Sequence, residues 1–142
     1  MTSWIDDLTF ENMRRVLPLV TCDVMIRSKK GWLLGRRKNS PAQGEWYSIG
    51  GRLIKGEPLV VCARRKTHEE TGLEVKNLQF VGVLEEVFEY ENLHYVTILY
   101  VADALCDPVL PQTSDFSELA WFPQSIPSFH PFLLKRFEMV KA

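Results

Sequence analysis

GRLIKGEPLVVCARRKTHEETGL, residues Gly51 to Leu73, is the most informative segment of the chain. From Glu57 onward the pattern is helical, with Pro58 at a plausible first helical position and Gly72 where a left-handed cap ends a last turn. The spacing predicts a helix from about Pro58 to Thr71. At about 100° per residue, Leu59, Val60, Ala63 and Thr67 share one face that should pack on a sheet, Arg65 and Glu69 lie opposite, and Lys66 and Glu70 sit at the border. Glu69 and Glu70 are adjacent acids in the last turn, where the helix dipole disfavours negative charge. A hard divalent cation with oxygen ligands would relieve both, with a carbonyl of Gly50 or Gly51 completing the set. The alternative is a solvated face on which Arg65 and Glu69 form an ordinary i, i+4 pair worth about 0.3 to 0.5 kcal/mol. Spacing alone leaves the two level.

Outward from this segment the chain alternates strands and helices. Thr9 is placed to cap a short helix through Val16, which Pro18 ends. Leu19 to Arg27 and Trp32 to Arg36 read as a hairpin about Lys29-Lys30-Gly31. Lys38 to Glu45 is a loop, and Trp46 to Ile49 a short strand closed by Gly50-Gly51, a pair suited to a sharp turn or a close approach to a ligand. Two long strands, Leu78 to Phe88 and His94 to Leu105, follow, then a short one at Trp121-Phe122. Ser128 is placed to cap a closing helix through Met139. Strands flanked by helices predict a mixed α/β layered domain.

The 142 residues fit one domain, 1–142, and a composition of 46% hydrophobic, 25% charged and 11% aromatic excludes disordered and fibrous classes. Seventeen Lys and Arg against 18 Asp and Glu leave a net charge of -1, so no global field recruits nucleic acid or an anionic membrane, and phosphate binding must be local. No apolar run approaches the roughly 20 residues of a membrane helix, and MTSWIDDLTF lacks a leader pattern, so a cytoplasmic protein is expected. Cys22, Cys62 and Cys106 are widely spaced without a CxxC pair and read as small core residues.

The segment Gly51 to Leu73 resembles the Nudix box: glycine, five residues, Glu, seven residues, then Arg-Glu-apolar-any-Glu-Glu-any-Gly-apolar. Gly51, Glu57, Arg65, Glu69, Glu70, Gly72 and Leu73 match at the required spacing, while Lys66 replaces the first Glu and Thr67 an apolar residue. The resemblance implies the Nudix fold, an α/β/α sandwich with a mixed β-sheet. It also implies a hydrolase dependent on Mg²⁺ or Mn²⁺ that acts on a nucleoside diphosphate linked to another group. Glu69 and Glu70 become candidate metal ligands, and Arg65 lies near the diphosphate.

Leu33 to Arg52, LLGRRKNSPAQGEWYSIGGR, is similar to the corresponding stretch of GDP-mannose mannosyl hydrolases, a Nudix branch that also lacks that first Glu. That branch uses one divalent ion and cleaves at the anomeric carbon of the sugar, and dimers are common in it. By position, Gly50 and Glu70 match its metal ligands, and Asp23, Arg37, Arg52, Arg65 and Tyr95 match residues around nucleotide, diphosphate or sugar. Arginines fork onto phosphate oxygens, so Arg37, Arg52 and Arg65 with one Mg²⁺ would stabilise a departing diphosphate. Asp23, an acid in an apolar strand, either accepts hydrogen bonds from a base or sugar or pairs with an arginine. The branch's catalytic His and Gln ligand are missing from the loop before the last strand, which offers Ser114, Asp115 and Glu118. A second sugar-site His is Glu86 here, and the loop between the central strands shortens to about Glu89 to Leu93. Asp115 or Glu86 is then the candidate base, and His94, beside Tyr95, a ligand-pocket or core residue. The expected partner is a small-molecule nucleotide, with a homodimer as the expected assembly. The rivals are a pyrophosphatase that attacks phosphorus at the same site and a module that binds a nucleotide without turnover.

Overall fold

The structure, a computed structural model, describes residues 5–141, so the first four residues of MTSWIDDLTF fall outside the described residues. The chain runs α1 (Asp7–Val16), β1 (Leu19–Ser28), β2 (Gly31–Arg37), β3 (Trp46–Tyr47), β4 (Ile49–Arg52), α2 (Leu59–Thr71), β5 (Val75–Phe88), β6 (Leu93–Ala104), β7 (Phe116–Phe122) and α3 (Pro131–Lys141). The sheet is ordered β3-β2-β1-β6-β5, with β4 added to β1 and β7 to β2. β1 and β6 are parallel, from Leu19 opposite Tyr95 to Arg27 opposite Asp103, and the other pairings are antiparallel. The expected mixed sheet and α/β/α layering are therefore present.

Alternation along β1 builds both cores. Cys22, Val24 and Ile26 point to one side, where they meet Cys62 and Ala63 of α2 together with Leu73 and Phe116. Met25 points to the other side, with Leu133 and Phe137 of α3, Phe129 and Tyr47. Asp23 is two residues from Met25 and shares its side, which sends a carboxylate toward α3. Among the described residues no helix is long and apolar enough to cross a membrane.

Several local expectations are corrected. The α1 cap is Asp6, whose carboxylate accepts the Thr9 amide at 2.9 Å, because an acid three residues earlier reaches the free N–H groups of the first turn. The buried face of α2 is Cys62, Ala63, Thr67, Glu70 and Thr71, whereas Leu59 and Val60 are exposed. The polar Thr67 is tolerated there because its hydroxyl donates back to the Ala63 carbonyl at 2.8 Å. Gly50-Gly51 is no turn but the middle of β4, opposite Asp23 and Cys22. The closing helix starts at Pro131, and His130 Nδ1, in place of Ser128, accepts the Phe132 amide at 3.1 Å. Cys22 and Cys62 are buried as expected, but Cys106 is exposed.

Candidate active site

A cavity of about 290 Å³ opens over the sheet between β1, β4, β5 and the loops after β2 and before β7. Two groups of side chains build it. The first is a buried ionic network on its floor. Arg136 of α3, 1% exposed, donates through Nη1 to Glu86 Oε2 at 2.7 Å and through Nη2 to Glu86 Oε1 at 2.8 Å. Nη2 also reaches Asp23 Oδ2 at 3.1 Å, and Nη1 donates to the Phe132 carbonyl at 2.9 Å. Tyr47 and Thr97 hydroxyls donate to Glu86 at 2.6 and 2.7 Å, and Ser48 donates to Asp23.

This geometry divides the two acids. Burial pushes Glu86 up, but the hydrogen bonds and charge of Arg136, aided by Tyr47 and Thr97, overcome it and hold the carboxyl below its ordinary range. Asp23 is pushed up by burial, and the nearby Glu86 charge adds to that effect against Arg136. Glu86 therefore has both oxygens engaged and a strengthened anionic form, a poor arrangement for a base. Of the two options left for Asp23, pairing with an arginine is the one present, with Arg136 as the partner.

The second group stands where β4 crosses the end of α2. Gly50 is required by close approach to backbone, whereas at Gly51 the near neighbour is the flexible end of the Lys66 side chain. A Cβ on Gly50 would run into the Asp23 side chain and the Cys22 carbonyl, and one on Gly51 into the aliphatic chain of Lys66. Glu70, buried, accepts the Asp115 amide at 2.8 Å and the Ser114 hydroxyl at 3.1 Å, which ties the loop before β7 to the helix. Lys38 adds bonds from its amide to the Asp115 carbonyl and from Nζ to the Ser114 carbonyl. Burial pushes Glu70 up, opposed by Lys66 and the Asp115 amide. Lys66 Nζ stands 3.4 Å from Glu69, 3.6 Å from Glu70 and 3.9 Å from Asp115.

The structure brings Asp23, Arg37, Gly50, Arg52, Tyr95 and Asp115 to the cavity wall. Arg52 lies over the Phe10 ring at 5.0 Å, Arg37 Nε donates to the Pro41 carbonyl at 2.6 Å, and the Asp115 side chain is 61% exposed. Arg65, Glu69, Glu70 and His94 do not line the cavity. Arg65 instead braces the box: Nε and Nη2 hold Glu57 at 2.6 and 2.9 Å, Nη2 also reaches the Arg52 carbonyl at 3.0 Å, and Nη1 reaches Glu69 at 3.0 Å. His94 is half-buried and within 3.1 Å of Glu85. Sequence reading passed over Arg136, Tyr47, Ser48 and Thr97. The available signal was Arg136 itself, a charge four residues after Phe132 and three after Leu133, on the helix face that those residues bury.

The donor chemistry suits one hard divalent ion, since the Glu70 carboxylate and the Gly50 carbonyl are both oxygen donors of the kind such ions take. Among the described residues no three His, Cys, Asp or Glu side chains gather as a metal cage, so an ion here would depend on backbone oxygen and water.

A sequence model of the NUDIX domain matches residues 17–138, and the chain belongs to that family, the Nudix hydrolases. The Low-salt glycan biosynthesis protein Agl8 of Haloferax volcanii is 31% identical over 138 residues, which span 93% of this chain and 88% of that protein. Among solved structures, the MutT NUDIX hydrolase from Burkholderia pseudomallei superposes with a TM-score of 0.79 at 24% identity, over 87% of this chain and 98% of that one. The NUDIX domain of Shewanella oneidensis NrtR, complexed with ADP ribose, gives 0.74 at 21% identity over 96% and 92%. These two likenesses are of fold.

Proposed function

We propose that the chain hydrolyses a nucleoside diphosphate sugar with one Mg²⁺ or Mn²⁺, releasing the nucleoside diphosphate and the sugar as GDP-mannose mannosyl hydrolases do. The observation that carries the reading is the division of the cavity. Arg37, Arg52 and Lys66 supply cations for a diphosphate, while the floor of Asp23, Tyr47, Glu86, Thr97 and Arg136, bonded within itself, is polar throughout and leaves oxygen lone pairs to the hydroxyls of a sugar. The 31% identical relative, named for glycan biosynthesis, is in keeping with a sugar-linked substrate.

In this reading Glu70 and the Gly50 carbonyl would hold the ion, and Glu69, exposed, is the further candidate ligand. When bound, it supplies Lewis-acid neutralisation of charge on the diphosphate. Asp115, exposed at the cavity wall, accepts a proton from the attacking water as oxygen bonds to the anomeric carbon and the bond from that carbon to the diphosphate oxygen breaks. Arg52 and Arg37 receive the charge that develops on the diphosphate. Arg65 acts through Glu57 and the Arg52 carbonyl as a positioning residue.

The test is incubation with a panel of nucleotide sugars and nucleoside triphosphates in ¹⁸O-water, with and without Mg²⁺. Label in the released sugar is expected. Label in phosphate would mean attack on phosphorus, and the absence of any turnover would sink the reading as a whole.

A further inference from the structure

Lys66 stands where the Nudix box expects an acid, and the substitution has a defined place in the tertiary structure. Its side chain is 13% exposed and lies along Gly51, where a Cβ would collide with it. Its ammonium is within 4 Å of three carboxylates, on Glu69, Glu70 and Asp115. None of those contacts is shorter than 3.4 Å, so the ammonium is electrostatically held without being committed to one partner. The cavity wall also contains Lys66 and Asp115 but neither Glu69 nor Glu70. A positive charge therefore stands between the acids of the box and whatever enters the cavity.

We propose that Lys66 is a tethered cation that takes over the charge of a divalent ion in this cradle. It gives the ligand-free site a phosphate-binding charge of its own and competes with divalent ions for the same carboxylates. The inference rests on the reading of the cavity as a nucleoside diphosphate site. Two consequences follow from Coulomb's law at close range in a half-buried site. A diphosphate binds without metal, because Lys66 with Arg37 and Arg52 offsets the nearby acids. A divalent ion binds weakly before substrate arrives, because it must approach an ammonium that already neutralises Glu70. The chemical class recognised is a nucleoside diphosphate, and the metal-free state is competent to hold it.

The experiment is calorimetric titration of the whole chain with ADP and with GDP in EDTA, and separately with Mn²⁺ in the absence of nucleotide. It compares the parent with Lys66→Met, which keeps the aliphatic length, and with Lys66→Arg, which keeps the charge. Lys66→Met should weaken nucleoside diphosphate binding in EDTA by at least tenfold and tighten Mn²⁺ binding by at least tenfold, while Lys66→Arg retains nucleotide affinity within threefold. Lys66→Gln serves in place of Lys66→Met if circular dichroism shows the latter misfolded. A change below threefold in either titration for the uncharged variant, or equal losses in Lys66→Met and Lys66→Arg, overturns the proposal. These readouts contain no turnover, so a protein that binds as expected yet cleaves no nucleotide sugar would refute the functional reading and leave this one standing.

Discussion

Replacing Arg136 with Met tests whether the floor of the cavity is an ion network in the physical sense. The guanidinium is 1% exposed and is the counter-charge for two carboxylates, Glu86 at 2.7 and 2.8 Å and Asp23 at 3.1 Å. Methionine fills much of the same volume, so the loss is of charge and of five donor contacts, two to Glu86 and one each to Asp23, the Tyr47 hydroxyl and the Phe132 carbonyl, rather than of packing. Removing one partner of a buried pair costs about 3 to 5 kcal/mol, because the charge left behind keeps its desolvation penalty. The lower end applies here, since the floor borders an open cavity and the stranded acids can bind protons or water. A loss of about 3 kcal/mol corresponds to a fall in Tm of roughly 10 °C for a domain of this size. Urea titration at pH 8 should show that loss, and at pH 5 a smaller one, because protonation of Asp23 and Glu86 relieves their mutual repulsion. Adding Glu86→Gln to Arg136→Met should recover more than half of the loss at pH 8. A single-variant loss below 1 kcal/mol at pH 8, or a double variant no more stable than the single, refutes the account.

The other expectations concern turnover and acid stability. Arg52→Ala should lower kcat by roughly 10² to 10³, the effect of losing one donor to a developing anion, with KM within a few fold; normal kcat with raised KM would reduce Arg52 to a positioning residue. Glu70→Gln should lower metal-dependent turnover far more than Glu69→Gln, because Glu70 is buried and holds Asp115 whereas Glu69 is exposed; equal losses in steady-state assays would point to a two-acid site. Hydrogen bonds from Arg65 hold Glu57 below its ordinary value of 4.5. With the folded value depressed, the stability this pair contributes is present above pH 4.5 and disappears as pH falls through the folded value. Urea midpoints between pH 5 and 3 should therefore fall less steeply in Glu57→Gln than in the parent, and parallel slopes would rule out Glu57 as a contributor.

Much of the frame was legible because it is encoded at short range. The helix from Leu59 to Thr71 was readable from Pro58 at one end and Gly72 at the other, and Gly72 does adopt the left-handed conformation that its position required. The hairpin of β1 and β2 was readable from two apolar runs about the turn Lys29-Lys30-Gly31, and the long strands β5 and β6 from two further runs of strand-forming residues. Caps and faces were less secure. Thr9 and Asp6 are both cap-forming residue types within one turn, and in the fold Asp6 takes the extended cap conformation while Thr9 sits inside the helix and donates to it. Leu59 and Val60 belong to an apolar pattern but sit in the first turn, where α2 has yet to meet the sheet.

The spacing of the box, an acid within an apolar strand at Asp23 and the replacement of an expected acid by Lys66 can all be read along the chain. What those residues do follows from the partners that folding brings to them. Asp23 and Arg136 are 113 positions apart, and Glu86 and Arg136 are 50 apart. They meet because alternation in β1 and β5 turns both acids to the side that α3 covers. Arg65 was directed to Glu57 in place of the cavity, and Lys66 was laid across Gly51 into the carboxylates. One cause underlies all of these pairings. Backbone periodicity is a local property that a linear pattern carries, whereas the partner of a buried charge is selected by desolvation, which acts only once distant faces have closed over it.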